Sequence, residues 1–415
     1  MQTDPELLSR LSSDIDRDAS KVQDFFVKML RINAVNPRMG GPGETDRADF
    51  IQSFLEGEGL KVSRVDAPDS GYKRGVRPNL CVKLEGAERK RTLWFFAHMD
   101  TVPEGSAELW NSDPFQPKVT DGKIFARGAE DNGQSLAACL FALRELKLLG
   151  KRLPLSVGVW LVSDEEFGSN YGVKYLLEHS SFGAGDLIVV PDAGSPNGNS
   201  VEIAEKHLLW FKVTTKGKQV HASLPAKGKN AHRLGMRLAL ALDESLHRQY
   251  PARNDLFDDP SSTFEPTKVD SNVPNVNTIP GVDAFYFDCR VLPEYSLDSV
   301  LSAVDSSLRD FTSEFSTDVS LDIVQRDDAG PATSPTSEVA RLAGNAIARV
   351  AKKTPRYIGI GGQTVGNLFR KRGIPTVVWS TVDEVGHEPN EYSWIANLIS
   401  DTKVFAAMPL LADFS

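Results

Sequence analysis

Runs of consecutive apolar residues constrain the fold of this chain more than any other feature. Three of them, TLWFFA, SVGVWLV and DLIVV, have the length of strands and lack polar alternation, which is typical of strands buried on both faces. Such strands form a parallel or mixed sheet that helices cover. The segment GQSLAACLFALRELKLLG supplies one covering helix. The N-terminal part of the chain is therefore predicted to be an α/β domain.

The pattern changes at about Ala204, where LLWFKVTTKG alternates apolar and polar residues as a half-exposed antiparallel strand does. Further strand and helix patterns follow, and the turn-rich segment DDAGPATSPTSE then leads back to the strand and helix patterns of the α/β domain. This order predicts an α/β domain interrupted by a two-layer α+β domain. The predicted boundaries are 1–204 and 330–415 for the α/β domain and 205–329 for the inserted domain.

Composition and charge exclude several classes of protein. A net charge of -9, from 56 acids and 47 bases, argues against nucleic-acid binding, which needs a basic patch or stripe. No stretch approaches the roughly 18 apolar residues of a membrane span, and the first ten residues lack the apolar core of a secretory signal. Three widely spaced cysteines are typical of free thiols in a reducing compartment. We expect a soluble, cytoplasmic protein with no membrane partner.

Polar residues follow each of the buried strands. His98 and Asp100 follow the first strand, residues 164–166 follow the second and Asp192 follows the third, while Asp131 lies among glycines before a helix. Taken singly, each has an ordinary interpretation, as a structural histidine, a solvated turn or a helix N-cap. Ligands of open α/β sheets, however, bind at the carboxyl ends of the strands. Imidazoles and carboxylates that meet there without cysteine favour a site for zinc or a similar divalent ion.

A series of motifs then carries a family resemblance. In chain order they read FFAHMDTVPEG, LWNSDPFQPKVTDGKIFARGAEDNGQ, VSDEEFGS, VVPDAG, QVHASLPAKGKNA, NTIPG followed by FDCRVLP, and GHEPNEY. They resemble the motifs of the co-catalytic two-zinc family of acetylornithine deacetylase, succinyl-diaminopimelate desuccinylase, aminoacylase, glutamate carboxypeptidase and related di- and tripeptidases. The resemblance runs from about residue 30 to the end. It implies an α/β/α metallopeptidase domain with an inserted lid domain through which the chain dimerises.

The resemblance also implies a metal centre. Two divalent ions are expected, most commonly zinc, with cobalt or manganese as alternatives. Asp131 would bridge both ions, His98 and Asp192 would complete one site, and Glu166 and His387 would complete the other. The resemblance also implies that the peptide bond after Asp131 is cis.

Catalytic roles follow from the same resemblance. Glu165 would be the general base that takes a proton from the attacking water and passes it to the leaving amine. Asp100 would orient His98, as an acid beside a metal-bound imidazole can. His221, in the inserted domain, would stabilise the oxyanion, often across a dimer interface.

Substrate binding would involve the inserted domain and a glycine segment. Arg290 and Asn277 match residues that grip a substrate carboxylate, for which the planar fork of arginine is suited. Their alternative interpretations are a strand-surface ion pair and a turn residue. The backbone amides of Gly361 and Gly362 would also contact the carboxylate. Here the chain departs from the common Gly-Gly-Thr-Asp pattern, because Val365 follows the threonine.

These residues together predict a metal-dependent hydrolase that cleaves the amide bond of an N-acyl amino acid with a free carboxylate. Alternatives within the same site are a di- or tripeptidase, a carboxypeptidase, and a single-metal peptidase in which Asp131 does not bridge. An alternative of another class is a non-catalytic binding or assembly module on the same fold. We expect a homodimer formed through the inserted domain.

Overall fold

The computed structural model describes residues 5–183 and 185–412. No helix in these ranges is long and apolar enough to cross a membrane. The helices are α1 Pro5–Arg17, α2 Ala19–Leu30, α3 Thr45–Gly57, α4 Ser135–Leu148, α5 Val173–His179, α6 Ala231–Gln249, α7 Leu297–Phe315, α8 Glu338–Ala346, α9 Gly366–Lys371 and α10 Ile395–Ala407. The strands are β1 Val62–Pro68, β2 Val76–Leu84, β3 Glu88–His98, β4 Lys118–Thr120, β5 Lys123–Phe125, β6 Leu155–Val162, β7 Leu187–Ser195, β8 Ser200–Glu205, β9 His207–Lys216, β10 Val220–His221, β11 Thr263–Val269, β12 Thr278–Ile279, β13 Val282–Val291, β14 Val319–Asp327, β15 Arg356–Ile360, β16 Thr376–Thr381 and β17 Tyr392–Trp394.

The largest sheet has eight strands in the order β1-β2-β6-β3-β7-β16-β8-β15. Its centre is parallel, since β3 pairs in parallel with β6 and β7, and β7 pairs in parallel with β16. Towards the edges the pairing is antiparallel, between β1 and β2, β2 and β6, and β8 and β16. The three central strands β3, β6 and β7 are those predicted from the apolar runs. The prediction of an α/β fold with a mixed sheet is confirmed.

Helices cover both faces of this sheet. Neighbouring residues of a strand point to opposite faces, and on β3 the Phe95 ring contacts Phe405 of α10, while the Phe96 ring contacts Phe369 of α9. β6 is buried along its whole length. Burial on both faces explains why the central strands are continuously apolar.

A second compact unit is formed by Ala204–Pro331 together with Ile358–Gln363. It contains the antiparallel sheet β11-β13-β9-β14, with α6 and α7 packed on one face. On β9 the buried Leu209, Phe211 and Val213 alternate with partly exposed residues, as the alternating sequence predicts. The unit is thus a two-layer α+β structure.

The first unit comprises Met1–Ile203, Ala332–Tyr357 and Thr364–Ser415, as far as these residues are described. The sequence-derived limits of 1–204, 205–329 and 330–415 stay a prediction of the domain boundaries. The glycine segment Ile358–Gln363 lies in the second unit, although those limits assign it to the α/β domain. The three cysteines are free thiols.

Candidate metal centre

The carboxyl ends of the central strands bring several predicted ligands to one edge of the sheet. β3 ends at His98, which is in register with Val162 at the end of β6, so residues 163–166 follow at the same level. Asp192 lies near the end of the parallel strand β7. Asp131 comes from the turn that opens α4, and its peptide bond to Asn132 is cis.

The five predicted ligands form a continuous series of contacts. Asp131 is at its centre, with Oδ1 lying 2.8 Å from His98 Nε2 and Oδ2 lying 3.0 Å from His387 Nε2. On one side, His98 Nε2 is 3.4 Å from Asp192 Oδ1. On the other, His387 Nε2 is 3.0 Å from Glu166 Oε2. Each oxygen of Asp131 therefore faces a different imidazole, as a bridging ligand requires.

The donor set suits divalent cations. The ligand atoms of His98, Asp131 and Glu166, and those of His98, Glu165 and Asp192, lie within 4.8 Å of one another. Burial and the neighbouring Asp131 raise the pKa of Glu166 to about 7, and burial and Asp192 raise that of Glu165 well above its usual value. Cations placed among these acids would offset the repulsion between carboxylates, which adds to burial in raising both pKa values. Imidazole and carboxylate ligands of this kind fit zinc, cobalt or manganese.

Asp100 is buried behind the ligands and holds the turn that carries two of the predicted functional residues. Its Oδ1 and Oδ2 accept hydrogen bonds from the backbone N–H groups of Glu165, at 3.0 Å, and Glu166, at 3.2 Å. The Nδ1 atom of His98 lies 3.0 Å from the backbone oxygen of Asp100 and 3.6 Å from its Oδ1. Asp100 thus contacts His98 as well as the turn of the two glutamates.

Asn36 supports this arrangement, although sequence reasoning assigned it no role. It is fully buried, and its Nδ2 donates to Asp100 Oδ2 at 2.7 Å and to Asp164 Oδ1 at 3.1 Å. Its Oδ1 accepts from the backbone N–H of Arg38. The signal in the sequence is only an asparagine before a proline, which is typical of any turn.

Two of the predicted residues in the second unit, His221 and Asn277, lie at a small two-stranded antiparallel sheet formed by β10 and β12. The backbone N–H of Ala222 donates to the carbonyl oxygen of Asn277 at 2.8 Å, beside His221. The backbone N–H of Ser223 donates to His221 Nδ1 at 3.2 Å. Since Nδ1 accepts a hydrogen bond, the neutral ring carries its proton on Nε2, as a donor to an oxyanion must.

Arg290 lies on β13 and is already engaged. Its Nε and Nη2 donate to Oδ1 and Oδ2 of Asp288 at 2.7 and 3.1 Å, and its Nη1 donates to the carbonyl oxygen of Gly361 at 3.2 Å. The ion pair on a strand, considered from the sequence as an alternative, is therefore present. Gly362 lies in the same glycine segment. Val365, which replaces the acid of the common pattern, is buried in the core of the first unit.

Comparisons with known proteins agree with this geometry. The sequence profile of peptidase family M20/M25/M40 matches residues 94–410. A metallohydrolase of Methanococcus maripaludis, described as uncharacterized, is 36% identical over 400 residues, which cover 91% of this chain and 95% of the relative. A succinyl-diaminopimelate desuccinylase of Sulfurovum is 27% identical over 398 residues, covering 92% of this chain and 97% of the relative. Human carnosine dipeptidase 1 has the same fold, with a TM-score of 0.76 at 19% identity and 98% of each chain covered.

The profile match covers most of the chain, and the metallohydrolase relative aligns over nearly its full length. The predictions of the family, of an α/β fold with an inserted domain and of an enzyme are confirmed. The chain belongs to peptidase family M20/M25/M40 and is a metallohydrolase that acts on amide bonds.

Proposed function

We propose that the enzyme hydrolyses the amide bond of an N-acyl amino acid that bears a free carboxylate. The observation that carries the proposal is the position of Asp131, with one oxygen toward each of two imidazoles. Two divalent ions, zinc before cobalt or manganese, would be held between these side chains. His98 and Asp192 would complete one site, and Glu166 and His387 would complete the other.

In this reaction Glu165 is the general base. Divalent ions held by these residues would polarise the scissile carbonyl group and lower the pKa of the attacking water. Glu165 takes the proton of the attacking water and delivers it to the leaving amine nitrogen. Asp100 keeps Glu165 in place by accepting its backbone N–H. His221 donates its Nε2 proton to the oxyanion that develops on the carbonyl oxygen.

The substrate carboxylate is proposed to bind in the second unit, beside Arg290, Asn277, Gly361 and Gly362. The guanidinium of Arg290 has five N–H donors, of which Asp288 occupies two. The backbone N–H groups of the two glycines add donors that need no side chain. These groups suit a small molecule with a free carboxylate. The similarity to a desuccinylase supports an acyl amino acid over a peptide as the substrate.

The direct test is Glu165→Ala. The variant is expected to keep its bound metal and to lose nearly all turnover of N-acetyl and N-succinyl amino acids, since the ligands remain and the base is gone. Glu178→Ala, on the exposed side of α5, is the matched control and is expected to behave as wild type. Unchanged turnover in Glu165→Ala contradicts the assignment of the base. Faster turnover of dipeptides than of every acyl amino acid contradicts the proposed substrate class.

We also propose that the protein acts as a homodimer in the cytoplasm, joined through the second unit. β11 is an edge strand of its sheet, and exposed strand edges pair readily. Val269 on β11 is 69% exposed, and Met236 and Leu240 on α6 are 50% and 65% exposed. The free cysteines support a reducing compartment. Sedimentation is expected to give a dimer that Leu240→Glu weakens, and a fully active monomer contradicts the proposal.

A further inference from the structure

Two buried glutamates beside the metal centre are not among the predicted ligands. Glu130 directly precedes Asp131, and Glu391 follows His387 by four residues. We call residues 127–132 the first ligand loop and residues 383–391 the second ligand loop. Each glutamate belongs to one loop and is hydrogen-bonded to the backbone of the other.

Glu391, from the second ligand loop, accepts hydrogen bonds from the first. Its Oε1 accepts from the backbone N–H groups of Glu130, at 2.8 Å, and Asp131, at 3.0 Å. Its Oε2 accepts from the backbone N–H of Gly128 at 2.9 Å and from Arg127 Nη1 at 2.6 Å. The side chain is buried, so it relies on hydrogen bonds from these protein donors.

Glu130, from the first ligand loop, accepts hydrogen bonds from the second. Its Oε1 accepts from the backbone N–H of Asp383 at 2.6 Å. Its Oε2 accepts from the backbone N–H groups of Val385, at 2.5 Å, and Gly386, at 3.1 Å. Each loop is therefore held by side-chain hydrogen bonds to the backbone of the other.

The second ligand loop needs such support, because its backbone is unfavourable by itself. Glu384, His387 and Asn390 have φ values of 63°, 66° and 64°, in the left-handed region that residues with a Cβ seldom adopt. Conformations of this kind persist only where surrounding contacts hold them. The loop also approaches the bridging ligand closely, since a Cβ at Gly386 would lie 3.1 Å from the Cβ of Asp131.

We propose that Glu130 and Glu391 form a reciprocal clasp that positions Asp131 and His387 for the second metal ion. The inference rests on the proposed two-metal function. Neither glutamate touches the metal ligand atoms in this role. The clasp acts through the loop backbones.

Glutamine substitutions test the clasp. In each glutamate both oxygens accept from N–H donors, so the NH₂ group of a glutamine faces a donor whichever way the amide turns. Glu130→Gln and Glu391→Gln are stripped of metal and titrated with Co²⁺, and the visible absorption is followed. We expect the second equivalent to bind about 10- to 100-fold more weakly than in wild type, the usual cost of losing a partner behind a ligand, because the second site takes both Asp131 and His387. Raising the Co²⁺ concentration should restore kcat.

Glu388→Gln is the matched control, because Glu388 lies on the second ligand loop and is exposed. It should bind both equivalents as wild type does. Wild-type affinity for both equivalents in Glu130→Gln and Glu391→Gln overturns the clasp. Wild-type protein that binds one equivalent overturns the two-metal function instead, so the two failures are distinguishable.

Hydrogen exchange on metal-free wild-type protein tests the clasp even where a variant fails to fold. The amide protons of Asp383, Val385 and Gly386 should exchange slowly, because Glu130 binds them. Exchange at the rate of an unstructured loop overturns the clasp. Slow exchange at these three positions supports it.

Discussion

At the scale of single residues, the neighbouring Glu165 and Glu166 face different parts of the metal centre. Glu166 contacts His387, whereas Glu165 groups with His98 and Asp192. The turn that carries both glutamates begins after Asp164, whose φ of 64° is left-handed. Adjacent glutamates can in this way divide the tasks of ligand and base.

His221 provides a prediction at this scale. His221→Ala removes the proposed Nε2 donor and is expected to lower kcat about 100- to 1000-fold, the usual cost of losing one oxyanion donor. Metal content should not change. Steady-state kinetics on an N-acyl amino acid measures the effect, with His247→Ala on the exposed side of α6 as the control. A decrease in kcat below threefold contradicts the role of His221.

At the scale of elements, the turn after β6 depends on a residue from a distant loop. Asn36→Ala removes one hydrogen-bond donor from each of two buried carboxylates, those of Asp100 and Asp164. We expect the free energy of unfolding to fall by about 1–3 kcal/mol and kcat to fall with it. Urea unfolding and turnover measure both, and Asn170→Ala, which is exposed, serves as control. Equal stability of the two variants contradicts this account.

The central elements were predictable and the ligand loops were not, for a physical reason. β3, β6 and β7 are apolar throughout because both faces are covered, and this pattern is local in the sequence. The geometry of the second ligand loop depends on Glu130, which lies more than 250 residues away from the amides it binds. The motif that contains Glu391 was recognised, but its role required the fold.

The predicted site residues also differ in whether a local sequence pattern was enough to place them. His98, Glu166 and Asp192 follow from the ends of strands, and Asp131 was noted among glycines before a helix. His387 was placed only by the family resemblance. The pairing of Arg290 with Asp288 was considered as an alternative, since the two are two residues apart on one strand face. The sequence does not decide between this ion pair and a bond from Arg290 to a substrate carboxylate, because the guanidinium group can bind either.

At the scale of the whole molecule, one buried acid joins three elements of the first unit. Asp401 on α10 accepts from the backbone N–H of Thr381 at 2.9 Å, from its hydroxyl at 2.7 Å and from Gln134 Nε2 at 3.1 Å. Burial raises the pKa of Asp401 to about 7, in spite of these donors. The folded state therefore keeps a proton that the unfolded chain releases at lower pH.

This linkage predicts a dependence of stability on pH. Between about pH 4, where the unfolded carboxyl ionises, and about pH 7, the folded state binds more protons, so the free energy of unfolding falls as pH rises. Asp401 contributes at most about 1.4 kcal/mol per pH unit. Asp401→Asn should remove this slope, since an amide can still accept from Thr381 N–H and donate to its hydroxyl. Urea unfolding of the metal-free wild type and of metal-free Asp401→Asn at pH 5 and pH 7 measures the change in the free energy of unfolding. An equal change in the two proteins contradicts the account.

The central claim is that Asp131 bridges two metal ions, and anomalous X-ray diffraction from crystals grown with zinc tests it most directly. We predict two anomalous peaks per chain, about 3.5–4 Å apart, with one oxygen of Asp131 at each. His98 and Asp192 should be next to one peak, and Glu166 and His387 should be next to the other. A single peak, or two peaks of which one lies away from Asp131, would contradict the account.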